Sequence, residues 1–276
     1  IVPESIEDQE TDVIEIGEVE LLTPDDKARI KKLRPAQPGV SIGHYKITAG
    51  TFGAVVKDKK TGESLILSNN HVLANITDGY DGRASKGDTI LQPGSYDGGD
   101  DKEDIIGNLE RFIPIYDQNP PLCPLMSGFV RMLNGVNNLF NQPEIKPNAL
   151  KNKVDCAVAK PKSPKLINPE ILGIGKVQGV AEPELDMKVR KSGRTSGLTK
   201  SRIKVLNTTV KVQLSANESA IFTDQLVMEP FSQPGDSGSL VVNNDNQAVG
   251  LLFAGSDKST ICNRIDNVLD ALEITF

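Results

Sequence analysis

Short apolar runs rich in Val, Ile and Leu recur along this chain of 276 residues, and Gly, Asn or Pro separates one run from the next. Runs of this length between turn residues are typical of β-strands, and 24 glycines and 17 prolines supply the turns. The predicted strands are 45–48, 51–57, 64–68, 89–91, 105–115, 154–159, 187–190, 203–206, 209–214, 220–222, 225–228, 240–242 and 248–253. We therefore predict an all-β protein.

The strands fall into two groups, because a segment between them has a different pattern. Its apolar residues recur at helical spacing, which predicts an amphipathic helix containing Leu125, Phe129, Met132, Val136 and Leu139. A C-terminal helix is predicted where Ile265, Val268, Leu269 and Leu272 share one face. The predicted organisation is an N-terminal extension (1–39), a first barrel (about 40–119), a helical insertion (about 120–152), and a second barrel with the C-terminal helix (about 175–276).

Charge and composition exclude several kinds of partner. The net charge of −6 leaves no excess of Lys and Arg for phosphate contacts, so we expect no nucleic-acid partner. No apolar run approaches the ~18 residues of a membrane span, so we expect no membrane partner. The sequence has no C-x-x-C pair and only two histidines, so we expect no metal and no cofactor.

The cysteines bear on the compartment. Cys123, Cys156 and Cys262 are odd in number and widely spaced, which predicts no disulfide framework. Free thiols favour a reducing compartment, and the chain carries no signal peptide. We therefore expect a cytoplasmic protein. Secretion is kept as the alternative, because the chain opens at Ile1 and the true N terminus could lie upstream.

The stretch from Gln233 to Val241 contains the sequence Gly-Asp-Ser-Gly. Gly235 and Gly238 flank Ser237, so the backbone can turn tightly and expose both the hydroxyl and the N–H groups. An oxyanion hole needs two converging N–H donors, and those of Gly235 and Ser237 could supply them. The alternative is a glycine-rich turn without chemistry, placed before the strand at 240–242.

A serine hydroxyl needs a base to become a nucleophile, and histidine is the usual base near neutral pH. His71 follows the predicted strand 64–68, at a point suited to aim its side chain into a cleft. His44 precedes the first predicted strand and is interpreted as a structural, hydrogen-bonded residue. We therefore predict His71 as the base.

A triad also needs a carboxylate that holds the imidazole in the correct tautomer. Asp155 stands in an otherwise apolar run, where a buried acid is costly unless it has a partner. A strand-end aspartate that caps a loop is the alternative interpretation. Weaker candidates lie in polar stretches: Asp78, Asp81, Asp88, Asp101 and Asp104.

The order His71, Asp155, Ser237 differs from the orders of the α/β-hydrolases and the subtilisins. At these residues the chain resembles the trypsin-like serine peptidases, particularly bacterial members, and it is similar to the plant narrow-leaf type. The resemblance covers about residues 38–275 and includes Gly193–Gly197 and Val249–Gly255. It implies two six-stranded antiparallel β-barrels of the chymotrypsin type. It also implies a protein or peptide substrate, cleaved through an acyl-enzyme at Ser237.

Three residues are predicted to form the substrate pocket by the same resemblance. Phe231 lies six residues before the serine, where a trypsin has Asp, and Phe253 replaces a usual Ser. Phe231 and Phe253 indicate an apolar or partly filled pocket, and cleavage after Lys or Arg is not expected; Gly255 is the third predicted substrate-binding residue. A partly filled pocket also fits an alternative function, a catalytically weak binding or scaffold protein with a protease fold.

Two further patterns allow more than one interpretation. The chain begins Ile1-Val2 and contains Asp236, the pair that trypsin-like zymogens join on activation, but Ile1 lies about forty residues before the first barrel. We expect cleavage upstream of Ile1 rather than activation of the zymogen type. The acidic loop 97–104 could bind Ca²⁺, although its spacing does not match an EF-hand and a solvated loop is favoured.

Overall fold

A computed structural model describes residues 28–117 and 151–276 of the chain. In these two stretches the secondary structure is mostly strand, which confirms the prediction of an all-β fold. The strands are β1 (Ser41–His44), β2 (Gly50–Thr51), β3 (Ala54–Asp58), β4 (Ser64–Ser68), β5 (Thr89–Leu91), β6 (Ile105–Phe112), β7 (Lys151–Asn152), β8 (Ala157–Pro161), β9 (Lys188–Gly193), β10 (Gly197–Gln213), β11 (Ser219–Met228), β12 (Leu240–Asn243), β13 (Ala248–Gly255), β14 (Thr260–Arg264) and β15 (Ile274–Thr275). The two α-helices of the described residues are α1 (Asn70–Leu73) and α2 (Ile265–Ala271).

The first sheet has the strand order β15-β3-β4-β8-β6-β5-β1-β2, and its pairs are antiparallel. It forms an open half-barrel rather than a closed ring, because no hydrogen-bonded pair among the described residues joins β2 to β15. Two of its strands come from far along the sequence, since β8 lies between β4 and β6 and β15 pairs with β3. The first barrel therefore includes residues well beyond 119.

The second sheet is a ring of six antiparallel strands in the order β10-β9-β12-β13-β14-β11, closed by the pairing of β10 with β11. β7 extends the ring at β11 as a parallel strand. From Val205 onward, exposed and half-buried side chains alternate along β10, as expected for the strand of a long hairpin with one face toward the protein. The two sheets together form the predicted chymotrypsin-type fold, although the first differs from the expected six-stranded barrel in having eight strands and an open side.

One hydrophobic cluster joins the two sheets. It contains Val56 and Leu65 of the first sheet, Leu240 and Leu251 of the second, and Val268 of α2. All five side chains are buried, so the cluster fixes the two sheets against each other and closes one side of their junction. The predicted C-terminal helix is confirmed, and its apolar face is the one that packs against this cluster.

Some sequence predictions differ from the structure. The predicted strand 45–48 is wrong: β1 occupies Ser41–His44 instead, because Gly43 lies within the strand and was taken for a turn. β14 (Thr260–Arg264) was not predicted, because its polar residues interrupt the apolar pattern. The predicted insertion helix lies outside the described residues. No helix among the described residues is long and apolar enough to cross a membrane.

The described part of the predicted N-terminal extension packs on the barrels. The Arg29 guanidinium donates hydrogen bonds to Gly39 O, Ser192 Oγ and Gly193 O. Ala36 forms a parallel bridge with Ile167. Residues 28–39 are therefore held against both sheets, and one of their contacts is the end of β9 at Ser192 and Gly193.

Candidate active site

His71 lies in α1, one short turn after β4 ends at Ser68. Asn69 has extended backbone angles and precedes the helix, so the chain reverses and leaves the His71 side chain about a quarter exposed. The imidazole Nδ1 lies 2.5 Å from Asp155 Oδ2, and the His71 backbone N–H donates to Asp155 Oδ1 at 3.2 Å. One carboxylate thus binds both the ring and the backbone of His71, and the second ring nitrogen, Nε2, is not used in this contact.

Asp155 is buried and is held by its backbone as well as by His71. Asn263 of β14 accepts from the Asp155 N–H at 3.0 Å and donates to the Asp155 carbonyl at 3.1 Å. Asn69 donates to the same carbonyl at 2.8 Å. Asn263 was not identified from the sequence, because its partner lies 108 residues away along the chain. It connects the backbone of Asp155, just before β8 of the first sheet, to β14 of the second sheet.

The turn that contains Ser237 packs against the end of β4, which leads into His71. Thr51 N–H donates to Ser237 O at 2.8 Å. A β-carbon on Gly238, whose φ is +93°, would lie 2.1 Å from Ser68 Oγ, so only glycine fits there. Ser237 Oγ lies 3.5 Å from Phe253 O, and no hydrogen bond of the described residues joins it directly to His71. Such bonds are often long in the absence of substrate.

The backbone around Ser237 presents two unused donors. Asp236 N–H closes a turn on Gln233 O at 3.0 Å, whereas the N–H groups of Gly235 and Ser237 make no hydrogen bond to any described residue. Gly235 has a φ of +100°, which places this part of the turn in a conformation that favours glycine. The two N–H groups predicted as an oxyanion hole are thus both available beside the serine hydroxyl.

Asp236 forms an ion pair with Lys191 in which both side chains are fully buried, with 2.9 Å between Lys191 Nζ and Asp236 Oδ2. Burial raises the pKa of the Asp236 carboxyl, but the charge of Lys191 and hydrogen bonds from Ser196 and Gln233 outweigh it and the net pKa is lowered. The carboxylate that a zymogen would pair with a new N terminus therefore already has a cation. The expectation that activation is not of the zymogen type stays a prediction.

Lys191 was not identified from the sequence, although one signal points to it. In β9, Val189 and Lys191 are two residues apart and so share a face, and both are buried. A lysine in phase with the apolar side of a strand needs a buried partner. Which aspartate supplies the partner depends on tertiary structure.

A cavity of about 480 Å³ opens beside Ser237. The residues that line it are Ser232, Gln233, Pro234, Ser237, Leu252, Ala254, Gly255, Ser256 and Asp257. Of the three residues predicted for the pocket, only Gly255 is among them. Phe231 lies under the Lys191 ammonium, 6.0 Å from ring centroid to Nζ, and Phe253 packs on Phe222 with 4.8 Å between centroids. Both phenylalanine rings are buried in hydrophobic clusters and do not fill the cavity.

The second histidine has a different environment. His44 is fully buried, its Nδ1 accepts from Lys46 N–H at 3.2 Å, and its Nε2 lies 3.0 Å from Asp88 Oδ2. These partners fit the neutral tautomer with its proton on Nε2. Burial lowers the pKa of His44 below 6.5, and the opposing effect of Asp88 is smaller.

We expect His44→Phe to lower the free energy of unfolding by about 1–3 kcal/mol at about pH 8, because two buried hydrogen bonds are lost. Since the folded protein favours neutral His44, the wild type loses stability as pH falls below 6.5. The variant lacks this loss, so urea denaturation should give a smaller difference at about pH 5 than at about pH 8. A difference that is constant with pH would contradict the neutral assignment.

The acidic loop makes its bonds within the protein. Asp97 binds Arg194, Asp100 accepts from the backbone of Lys102 and Glu103, and Asp104 pairs with Lys32. In the described parts of the chain, no group of three or more His, Cys, Asp or Glu residues is arranged to hold a metal ion.

Comparisons with known proteins address the fold. No protein-family model matches the chain, and no curated protein matches it. Among solved structures it is similar to a Nocardiopsis protease, with 15% identity and a TM-score of 0.55 over 87% of this chain and 98% of that one. The chain has the fold of bacterial chymotrypsin-type serine proteases.

Two further structures give similar values. Thermobifida fusca protease A has 15% identity and a TM-score of 0.53, over 87% of this chain and 98% of that one. A glutamic acid-specific serine protease has 16% identity and a TM-score of 0.54, over 87% and 99%. The fold predicted from the triad is therefore confirmed, whereas the similarity to the plant narrow-leaf type stays a prediction.

Proposed function

We propose that the protein is a serine endopeptidase that hydrolyses peptide bonds of protein or peptide substrates. The observation that carries the proposal is the hydrogen bond of 2.5 Å between Asp155 and His71. It lies next to the turn of Ser237, in which the N–H groups of Gly235 and Ser237 make no hydrogen bond to any described residue. The cavity of about 480 Å³ beside Ser237 adds room for a side chain of the substrate.

Each residue has a role in the proposed reaction. Ser237 Oγ attacks the carbonyl carbon of the scissile bond while its proton passes to His71 Nε2. Asp155 holds Nδ1–H and stabilises the imidazolium that forms. The N–H groups of Gly235 and Ser237 bind the oxyanion. When the tetrahedral intermediate collapses, the C–N bond breaks, Nε2–H protonates the leaving amine, and an acyl-enzyme remains at Ser237.

Water then completes the cycle. A water molecule gives a proton to His71 Nε2 and adds to the acyl carbonyl, and collapse of the second intermediate returns the proton to Ser237 Oγ. The same two N–H groups stabilise both intermediates, because both carry the oxyanion in the same place. The residues therefore account for peptide hydrolysis without a cofactor.

The alternative was a binding protein with little turnover, based on the idea that Phe231 and Phe253 occupy the pocket. Both rings are packed elsewhere and leave the cavity beside Ser237 open. This arrangement favours catalysis over the alternative.

The first experiment is labelling with a fluorophosphonate probe, followed by peptide mapping. We expect stoichiometric labelling of the wild type at Ser237, no labelling of Ser237→Ala, and strongly reduced labelling of His71→Ala. His44→Phe is the matched control and should label at the wild-type rate. Absence of labelling in folded wild-type protein between about pH 6 and about pH 9 would overturn the proposal and favour the binding protein.

A second measurement separates a peptidase from an esterase. Turnover of a peptide p-nitroanilide, chosen by screening a peptide library, is compared with turnover of the matching ester. We expect amide hydrolysis, because the general acid and the two N–H donors serve the difficult departure of an amine. Ester turnover without amide turnover would reassign the protein as an esterase.

A further inference from the structure

The peptide between Pro234 and Gly235 carries one of the two proposed oxyanion donors. It is a trans peptide, so its C=O and N–H point in opposite directions, and whatever holds the Pro234 carbonyl also sets the direction of the Gly235 N–H. Glycine at 235 does not fix the orientation by itself, because it tolerates φ values that other residues avoid. A restraint from outside the turn is needed.

Thr195 supplies that restraint. Its Oγ1 donates to Pro234 O at 2.8 Å. Arg194 Nη1 lies 3.0 Å from the same hydroxyl oxygen. A guanidinium can only donate, so Thr195 Oγ1 accepts from Arg194, and its single proton is left for the carbonyl. The direction of the hydroxyl proton is therefore determined by its neighbours.

Arg194 is itself fixed by a residue of the first barrel. Its Nε donates to Asp97 Oδ2 at 2.8 Å and its Nη2 to Asp97 Oδ1, and both side chains are largely buried. The ring of Tyr96 covers the guanidinium at 5.2 Å. A fork of two bonds leaves Arg194 little freedom, so Nη1 stays directed at Thr195.

The loop also fits closely against Gly235. A β-carbon on Gly235 would lie 2.4 Å from Thr195 Oγ1 and 2.8 Å from Arg194 Nη1. The backbone N–H groups of Thr195 and Ser196 both donate to Asp236 Oδ1, at 2.9 and 3.0 Å. Thr195 thus touches the turn on both sides of the Gly235 backbone.

We propose that Thr195 is a positioning residue for the oxyanion hole: its hydroxyl, oriented by the Arg194–Asp97 ion pair between the barrels, holds the Pro234–Gly235 peptide with the Gly235 N–H toward the substrate oxygen. The proposal rests on the proposed peptidase function. Without the hydroxyl, the Pro234 carbonyl loses its partner and the peptide can rotate, which removes one donor from the oxyanion hole.

The test compares Thr195→Val with Thr195→Ser, using the peptide p-nitroanilide selected above. We expect Thr195→Val to lower kcat about 10–100-fold with KM within about twofold, somewhat less than the loss of a donor itself. Thr195→Ser keeps the hydroxyl and should recover most of kcat. A peptide boronate of the same sequence, which forms a tetrahedral adduct, should bind Thr195→Val at least about tenfold more weakly.

Ser201→Ala is the matched control. Its hydroxyl likewise binds a backbone carbonyl, that of Glu229 at 2.9 Å, and it lies on β10 away from the turn. We expect its kcat to stay within about twofold of the wild type. Asp97→Asn tests the ion pair: it should lower kcat about 3–10-fold, and by much less in the Thr195→Val background, because the two residues act through one bond.

Several outcomes would overturn the proposal. One is a kcat of Thr195→Val within twofold of the wild-type value, and another is a Thr195→Ser variant as impaired as Thr195→Val. If the effects of Thr195→Val and Asp97→Asn on kcat are fully additive, the Arg194–Asp97 ion pair has no part in orienting Thr195. An inactive wild type would contradict the proposed peptidase function and not the positioning role. A crystal structure of Thr195→Val tests the positioning role in either case. The role predicts a rotated Pro234–Gly235 peptide, and an unchanged peptide contradicts it.

Discussion

Replacing Asp155 by Asn is expected to lower kcat/KM for a peptide amide about 10⁴-fold while the protein stays folded. The carboxylate binds the His71 ring at Nδ1 and the His71 backbone N–H at the same time. An amide has only one oxygen to accept with, and its NH₂ group beside Nδ1 favours the tautomer with the proton on Nε2. That tautomer cannot take the proton of Ser237. Steady-state kinetics with the selected p-nitroanilide measures the effect.

Asp88→Asn is the matched control, because Asp88 also binds a histidine ring, that of His44, at 3.0 Å. It should leave kcat/KM within about threefold of the wild type, since His44 lies outside the candidate active site. An Asp155→Asn variant that keeps more than about a tenth of the wild-type kcat/KM would contradict the assignment of Asp155 to the triad.

Lys191→Met is expected to lower the free energy of unfolding by about 3–5 kcal/mol at pH 7, because it leaves Asp236 buried without a cation. The pH dependence has a defined sign. In the wild type the pKa of Asp236 is lowered from 3.8, so its contribution to stability is present above pH 3.8 and is lost as pH falls through the folded pKa. In the variant, burial raises the pKa of this carboxyl, and stability should fall as pH rises above about 4.

The difference between the two proteins should therefore be small near pH 3 and largest at neutral pH, which urea denaturation at several pH values measures. Lys188→Met removes an exposed lysine from the same strand and should change stability by less than about 0.5 kcal/mol. The double variant Lys191→Met/Asp236→Asn removes both charges and should recover much of the loss. If the double variant is no more stable than Lys191→Met, lost packing rather than the unpaired charge is the cause.

The strands that the sequence predicts well are those with local signals. Residues 64–68 and 89–91 were predicted with the observed bounds, because apolar runs end there at Gly, Asn or polar residues. β14 has no such signal. Its Asn263 and Arg264 are polar residues whose partners, Asp155 and Glu182, become neighbours only in the folded protein. A strand whose polar residues bind distant parts of the chain cannot be predicted from a local apolar pattern.

The same distinction holds at the candidate active site. His71, Asp155 and Ser237 could be proposed as a triad because the proposed chemistry needs these residue types in an apolar or glycine-rich context, and the structure brings Asp155 and His71 into contact. Thr195 and Lys191 are common residue types, and their contacts with Pro234 and Asp236 span 39 and 45 residues. The pocket was the weakest prediction. Neighbouring residues of β13 point to opposite faces, so Leu252 and Ala254 line the cavity whereas Phe253, between them, does not.

The pairing of β15 with β3 determines when the first sheet can be completed during synthesis. Chains leave the ribosome N terminus first, at about 5–20 residues per second, so β3 waits roughly 10–40 s for Ile274 and Thr275. Until then the cluster that contains Val56, Leu65 and Ile274 has an open side. Ser237 and Asn263, whose amide holds the Asp155 backbone, are also synthesised after β3. Until β15 has been synthesised, the first sheet therefore lacks an edge strand and the cluster that joins the two sheets is incomplete.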